Sequence, residues 1–213
     1  MQDESMTELR VYLLIEALQP QFAACLSSPT RARGYPAFAG QSSLIIEVSP
    51  ALAIHRVTDL ALKSAPAMEP GILYTERQFG LLELHADSLE KLNAAGQAIL
   101  DGMGAKPEDQ LKPQILYHDI IENLSDQHAI ILNRSREASI LVPGVALLIY
   151  EMAPALFACV AANEAERAVP RAVINDVQMM GATGRVFMSG SLAEMRLARE
   201  TITAKLESIP GRQ

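Results

Sequence analysis

The chain has no tryptophan, two cysteines, five tyrosines and five phenylalanines among its 213 residues. With aromatics at 5%, the core has to come from small aliphatic side chains and closely approaching helices. Basic residues are scarce too: 18 Lys and Arg against 25 Asp and Glu leave a net charge of −7. A general DNA or RNA binder needs a basic face to neutralise phosphates, so that class is excluded, and anionic membrane surfaces are disfavoured on the same ground. Long apolar runs are also missing. The longest, Met152 to Ala162, is eleven residues and contains Pro154, whereas a spanning helix needs about 20. Cys25 and Cys159 have no metal-like spacing and read as reduced, buried thiols. Met1 to Glu8 is acidic and polar, the opposite of an export leader, so the expected setting is soluble and cytoplasmic.

What is present is enough to fold. At 49% hydrophobic and 20% charged, the chain can bury one large core or two of about 100 residues each. Leu9, Val11, Leu13 and Ile15 alternate with more polar neighbours, the period of a half-buried strand. A short apolar element follows at Gln21 to Leu26, then a turn-rich loop from Ser27 to Ser43 carrying Arg31 and Arg33, either solvated or attractive to anions. Leu44 to Val48 reads as a buried strand. Ser49-Pro50 is the expected helix cap, with Ile54, Val57 and Ala61 facing in. Asp59 precedes Lys63 by one helical turn, the favourable order for an ion pair. Strands are expected at Ile72 to Thr75 and Gly80 to His85, then a helix capped by Asp87 and stopped by Gly102 and Gly104.

The second half repeats the first. Leu44-Ile45-Ile46-Glu47 returns as Leu148-Ile149-Tyr150-Glu151, Lys63 as Arg167, Gly80 as Gly184 and Glu90 as Glu194, all 104 residues on. Before the long loop the offset is 106, with Glu16, Leu18, Gln21 and Leu26 matching Glu122, Leu124, Gln127 and Leu132. The second loop is therefore two residues shorter, in the place where a repeat tolerates change. Duplication gives the following boundaries: a tail at 1–8, a first domain at 9–104, a linker at 105–112, a second domain at 113–208 and a tail at 209–213. Duplicated chains commonly assemble into closed rings.

The stretch Tyr74-Thr75-Glu76-Arg77-Gln78-Phe79-Gly80 sets an acid beside a base between two strands. Alone it is a charged turn; at the axis of a ring it becomes a constriction. Its counterparts in the second half are Met180 and Gly181, so any such gate draws one charged pair from each chain and not two. No catalytic constellation emerges. His55, His85, His118 and His128 lack ligand spacing, and Gly181-Ala182-Thr183-Gly184 leads into a strand without the lysine of a phosphate loop. Gly190-Ser191 opens a helix and could hold an anion weakly. No enzyme activity, cofactor or metal is expected.

Residues Leu44 to Leu100 resemble the bacterial microcompartment shell domain. The strand material preceding it, at Glu8 to Leu26 and again at Pro113 to Asn133, resembles the circularly permuted form. In tandem, with Leu18-Gln19-Pro20-Gln21, Thr58 to Lys63, Glu76-Arg77 and Ala161 to Glu166, the chain is similar to the trimeric double-domain shell proteins, nearest the carboxysomal stacking type. The resemblance implies an α+β fold of two ferredoxin-like sandwiches, with antiparallel sheets and helices on one face. It also implies a homotrimer forming a flat pseudohexagonal tile, alone or stacked as two discs, that meets other shell proteins and passes small metabolites. By the same resemblance Glu76 and Arg77 are the gating pair, Thr75 and Gln78 belong to the pore loop, and Asp59, Lys63, Asn163 and Arg167 lie at tile edges. The alternative reading is a ligand-binding or regulatory pair of ferredoxin-like domains outside any shell.

Overall fold

The computed structural model describes residues 7–28, 34–66, 68–75, 78–135 and 138–213. In chain order the first repeat runs β1 (Glu8–Ile15), α1 (Pro20–Ser27), β2 (Ser42–Ser49), α2 (Ala53–Ser64), β3 (Glu69–Thr75), β4 (Gly80–Ala86) and α3 (Leu89–Met103). The second runs β5 (Gln114–Ile121), α4 (Asp126–Asn133), β6 (Ala146–Ala153), α5 (Phe157–Ala168), β7 (Val173–Gln178), β8 (Gly184–Gly190) and α6 (Leu192–Ser208). Each repeat builds one four-stranded antiparallel sheet, in the orders β1-β2-β4-β3 and β5-β6-β8-β7. The α+β class is as expected.

Why the core forms where it does follows from alternation. In β2, Leu44, Ile46 and Val48 point to one face and meet Leu82 and Leu84 of β4, Ile54, Val57 and Ala61 of α2, and Leu92, Ala95 and Ile99 of α3. Each fully buried aliphatic side chain contributes about 1.5–3 kcal/mol, which outweighs the weak propensities of the strands. Gly96 admits the Tyr12 ring, and a Cβ there would run into the hydroxyl. In the second unit the opposite sheet face is covered too: Leu124 and Ala129 pack on Leu141 and Leu147.

Caps differ from expectation in the first repeat. Ser88, not Asp87, caps α3 and accepts the Lys91 N–H, because Ser88 is the residue with extended backbone next to the first helical turn. Ser49 caps nothing. Its backbone stays in the ladder opposite Glu8, the Ser49-Pro50 peptide is cis, and α2 starts at Ala53 without a side-chain cap. Gly104 ends α3 in the left-handed region, and the Ser191–Glu194 capping box on α6 forms as read from sequence. Pro70 lies within β3, on an edge strand at a register shift, where no ladder N–H is required.

The chain divides into two compact units, but not by simple cutting. Unit 1 holds residues 1–17, 27–111 and 211–213; unit 2 holds 18–26 and 112–210. The first correction concerns 105–112. Gln110 is buried, its Oε1 accepts the Tyr12 N–H at 2.9 Å, and Leu111 N–H donates to the Arg10 carbonyl at 3.0 Å. The segment thus covers the open edge of β1, whose outward N–H and C=O groups would otherwise be unpaired. Residues 211–213 are no tail either: Arg212 bridges to Leu111, donates its N–H to the Gln110 carbonyl at 2.8 Å and pairs with Glu8. The second correction is that Leu18–Leu26, expected in the first domain, belongs to unit 2.

Candidate functional site

The hairpin joining β3 to β4 is positioned by its base. Thr75 and Gly80 are register partners. A Cβ at Gly80 would meet the Ala51 carbonyl and Ile54, so the strand can approach the start of α2 only with glycine there. Gly184 makes the same approach to Ala155 and Ala158 in unit 2. Glu76 and Arg77 lie outside the described residues. The two positions flanking them, Thr75 and Gln78, are both exposed.

Beneath the hairpin sits an arrangement that sequence reading missed. Glu47 of β2 is buried and pairs with Arg10 of β1, Nε to Oε1 at 2.8 Å. The Arg10 guanidinium also lies 3.8 Å from the centre of the Phe79 ring, the residue before β4. One arginine therefore ties β1, β2 and the end of the hairpin together. Burial pushes the Glu47 carboxyl up, and the bond and charge of Arg10 oppose that without cancelling it. The signal in the sequence was a glutamate in an otherwise apolar strand, repeated as Glu151.

Unit 2 satisfies the repeated glutamate from a different strand. Glu151 accepts from Thr183 Oγ1 at 2.8 Å and from Arg185 Nε of β8 at 3.0 Å. These bonds, the Thr183 hydroxyl first, hold its carboxyl below the usual range. Arg185 also donates to Gln178 at 3.0 Å. The turn at this end uses Gly181 with φ 116°, and its counterparts of the acid–base pair are Met180 and that glycine. The two hairpins are thus chemically unlike.

A second buried group occupies unit 1. Glu83 takes the Ser43 hydroxyl at 2.5 Å and meets His85 Nδ1 at 3.1 Å, while His85 Nε2 lies 3.7 Å from Glu69. Burial opposes the charged imidazole, but the Glu83 bond, the charges of Glu83 and Glu69 and the Pro36 carbonyl win, so the His85 pKa is raised. Gly71 leaves room for the Glu83 carboxylate. The group is not repeated: Leu147, Phe187 and Ser189 stand in place of Ser43, Glu83 and His85.

The expected edge residues separate into two kinds. Asp59 and Lys63 pair at 2.6 Å on the exposed face of α2. Arg167 is exposed on α5 and pairs with Glu164 at 3.1 Å. Asn163 is a correction. It is 0% exposed, and its Oδ1 accepts the Gln19 N–H at 2.8 Å, so its side chain is committed to the start of α1 and not to an open edge. Among the described residues no three His, Cys, Asp or Glu side chains gather as a metal site, and no helix is long and apolar enough to cross a membrane.

Known proteins match this architecture over its whole length. The CsoS1D N-terminal domain profile matches residues 9–109. The carboxysome shell protein CcmP of Synechococcus elongatus is 38% identical over 97% of this chain and 95% of its own. The double ringed trimeric shell protein of the RMM microcompartment superposes with a TM-score of 0.93 at 57% identity, covering 97% of this chain and 98% of that one. The fused permuted hexameric shell protein of the same microcompartment gives 0.91 at 41% identity, covering 97% and 100%. Two repeats with the strand order described, matched end to end by these relatives, place the chain: it belongs to the family of tandem-domain bacterial microcompartment shell proteins.

Proposed function

We propose that three copies of this chain close into a pseudohexagonal tile of a microcompartment shell, with the β3–β4 hairpins of unit 1 around the three-fold axis. The observation that carries the reading is the end-to-end likeness, at 57% identity, to a protein described as a double ringed trimer. Glu76 and Arg77 line the central opening. Like charges from three chains repel at an axis, whereas Glu and Arg from neighbours pair; side chains swung inward plug the hole, and swung away they leave it open. Such exposed pairs are worth only about 0–1 kcal/mol each, so the two states stay close in energy. The opening passes small metabolites, two tiles stack face to face, and Lys63 and Arg167 meet neighbouring tiles. The relatives are named as shell proteins and not as enzymes, which supports a structural role.

The rival reading, a ligand-binding domain pair, finds little support. The relatives that match the chain end to end are described as carboxysome and microcompartment shell proteins, not as ligand-binding regulators. The gate is tested by crystallising the Glu76→Ala, Arg77→Ala double variant. Assembly intact with a wide three-fold opening is expected; a closed pore unchanged from the wild type refutes the role.

A further inference from the structure

The third strand of each repeat bulges at the same place, and the two repeats hold that bulge by different chemistry. In β3 the register shifts between Pro70 and Ile72; in β7 it shifts between Ile174 and Asp176. Gly71 and Asn175 sit at the two shifts as repeat counterparts. Each bulge meets the loop that leads into the second strand of its own unit. In unit 2 the buried Asn175 amide donates to the carbonyls of Ser139 and Ile140, at 3.4 and 3.3 Å. In unit 1 the corresponding loop positions are Tyr35 and Pro36. Tyr35 donates its N–H to the Pro70 carbonyl at 2.9 Å, and Gly34 lies so near the backbone of Pro70 and Gly71 that a Cβ would collide. The side chain that serves this junction in unit 1 is not an amide but the imidazole of His85.

His85 is buried and uses one of its two nitrogens. Nδ1 lies 3.1 Å from Glu83, whose other oxygen takes the Ser43 hydroxyl. A carboxylate only accepts, so Nδ1 carries the hydrogen. Nε2 is then the nitrogen that gains or loses a proton, and it is buried with no hydrogen-bond partner. Glu69 is the register partner of His85 on the edge strand, and its side chain is 50% exposed. Its carboxylate stands 3.7 Å from Nε2, just beyond hydrogen-bond reach. We propose that His85 is a proton-operated latch: with a proton on Nε2 the ring draws Glu69 in and pins the β3 bulge and the Tyr35-Pro36 loop to β4, and without it the edge strand and loop are held by backbone bonds alone.

The groups around the ring favour the closed state. Glu83 faces it from its own strand and Glu69 from β3, while β2 brings the neutral Ser43 hydroxyl. The loop brings the Pro36 carbonyl, and its titratable side chain, Tyr35, is exposed. Helices α2 and α3 pack on Leu82 and Leu84, the other face of β4. Burial disfavours the charged ring, yet Glu83, Glu69 and the Pro36 carbonyl together outweigh it and raise the pKa. The latch is therefore closed below the unfolded value of about 6.5 and releases as pH rises through the folded value. From the bulge β3 runs on to Thr75, so the proton acts on the strand that carries the hairpin. In unit 2 an amide does not titrate, which makes β7 an internal control. The latch belongs to unit 1 alone and stands whether or not three chains close into a ring.

The test is hydrogen exchange of the full chain, read by mass spectrometry at about pH 6 and about pH 8.5 and corrected for intrinsic rates. Protection of residues 68–75 and 34–41 is expected to fall at least about 10-fold between the two, the scale of one charged hydrogen bond, while β7 changes little. Glu69→Ala truncates a half-exposed side chain, leaves the fold in place and removes the difference. By histidine-selective NMR, His85 in that variant titrates at lower pH than in the wild type. His85→Gln removes the difference as well. The latch is overturned if β3 changes no more than β7, if Glu69→Ala keeps the full pH dependence, or if His85 titrates at the same pH in both proteins.

Discussion

The carboxylate of Glu166 accepts the backbone N–H of Phe22 at 2.8 Å, across 144 residues of sequence. Its other oxygen takes the Gln21 N–H. An eight-residue helix is too short to be stable alone, so α1 depends on this anchoring and on the burial of Phe22, Ala23 and Leu26. Glu166→Ala strands the buried Phe22 N–H and the partly buried Gln21 N–H and lowers stability by about 2–4 kcal/mol, since each lost partner costs about 1–3. Glu166→Gln, which keeps one acceptor, falls between the two. Chemical denaturation checks this, and a loss below about 1 kcal/mol contradicts it.

Removing Arg10 leaves Glu47 buried and unpaired beneath the hairpin. Arg10→Ala costs about 3 kcal/mol, the range for breaking a buried pair from one side. Arg10→Leu combined with Glu47→Gln recovers much of it, because no charge then remains to be desolvated. If the double variant is as unstable as Arg10→Ala, the cost lies in the lost Phe79 contact and not in the orphaned carboxylate.

His85 makes stability depend on pH. Its folded pKa is raised above the unfolded value of about 6.5, so the protonated form contributes fully below that pH and the contribution is lost as pH rises through the folded value. Melting temperatures of wild type and His85→Gln are expected to differ most near pH 6 and to converge toward pH 9. A difference that is flat, or that grows with pH, contradicts the charged pairing with Glu83 and Glu69.

Cys25 is held inert. Burial first, then the charges of Asp176 and Glu166, push its thiol up to about 12, so almost no thiolate exists near neutrality. Cys159 is fully buried, and neither cysteine forms a disulfide. With a chromogenic disulfide reagent at pH 8, native protein is expected to react at least about 100-fold more slowly than the same protein in denaturant. Rapid labelling of one thiol per chain in the native state contradicts this.

The repeat was legible because it is written in spacing. The strands and helices of the second half start 103 to 106 residues after their partners, and alternation at Leu9 to Ile15 named the buried face of β1 directly. What stayed hidden depends on partners distant in sequence. Nothing local distinguishes Asn163 from its exposed counterpart Asp59; only the arrival of Gln19 makes one buried and the other not. Gln110 looked like linker because its task, closing the edge of β1, is visible only once Tyr12 stands beside it. Glu83 and His85 fell inside an expected strand with no role assigned, and their meaning as a buried pair needs Ser43, Glu69 and Gly71 brought around them.

The central claim, that copies of this chain close into a three-membered ring, is tested most directly by sedimentation equilibrium of the wild-type protein at micromolar concentration. The account predicts a mass three times the 23.1 kDa of the chain, or six times if two rings stack. A single 23.1 kDa species at all concentrations, or a two-chain species, contradicts it.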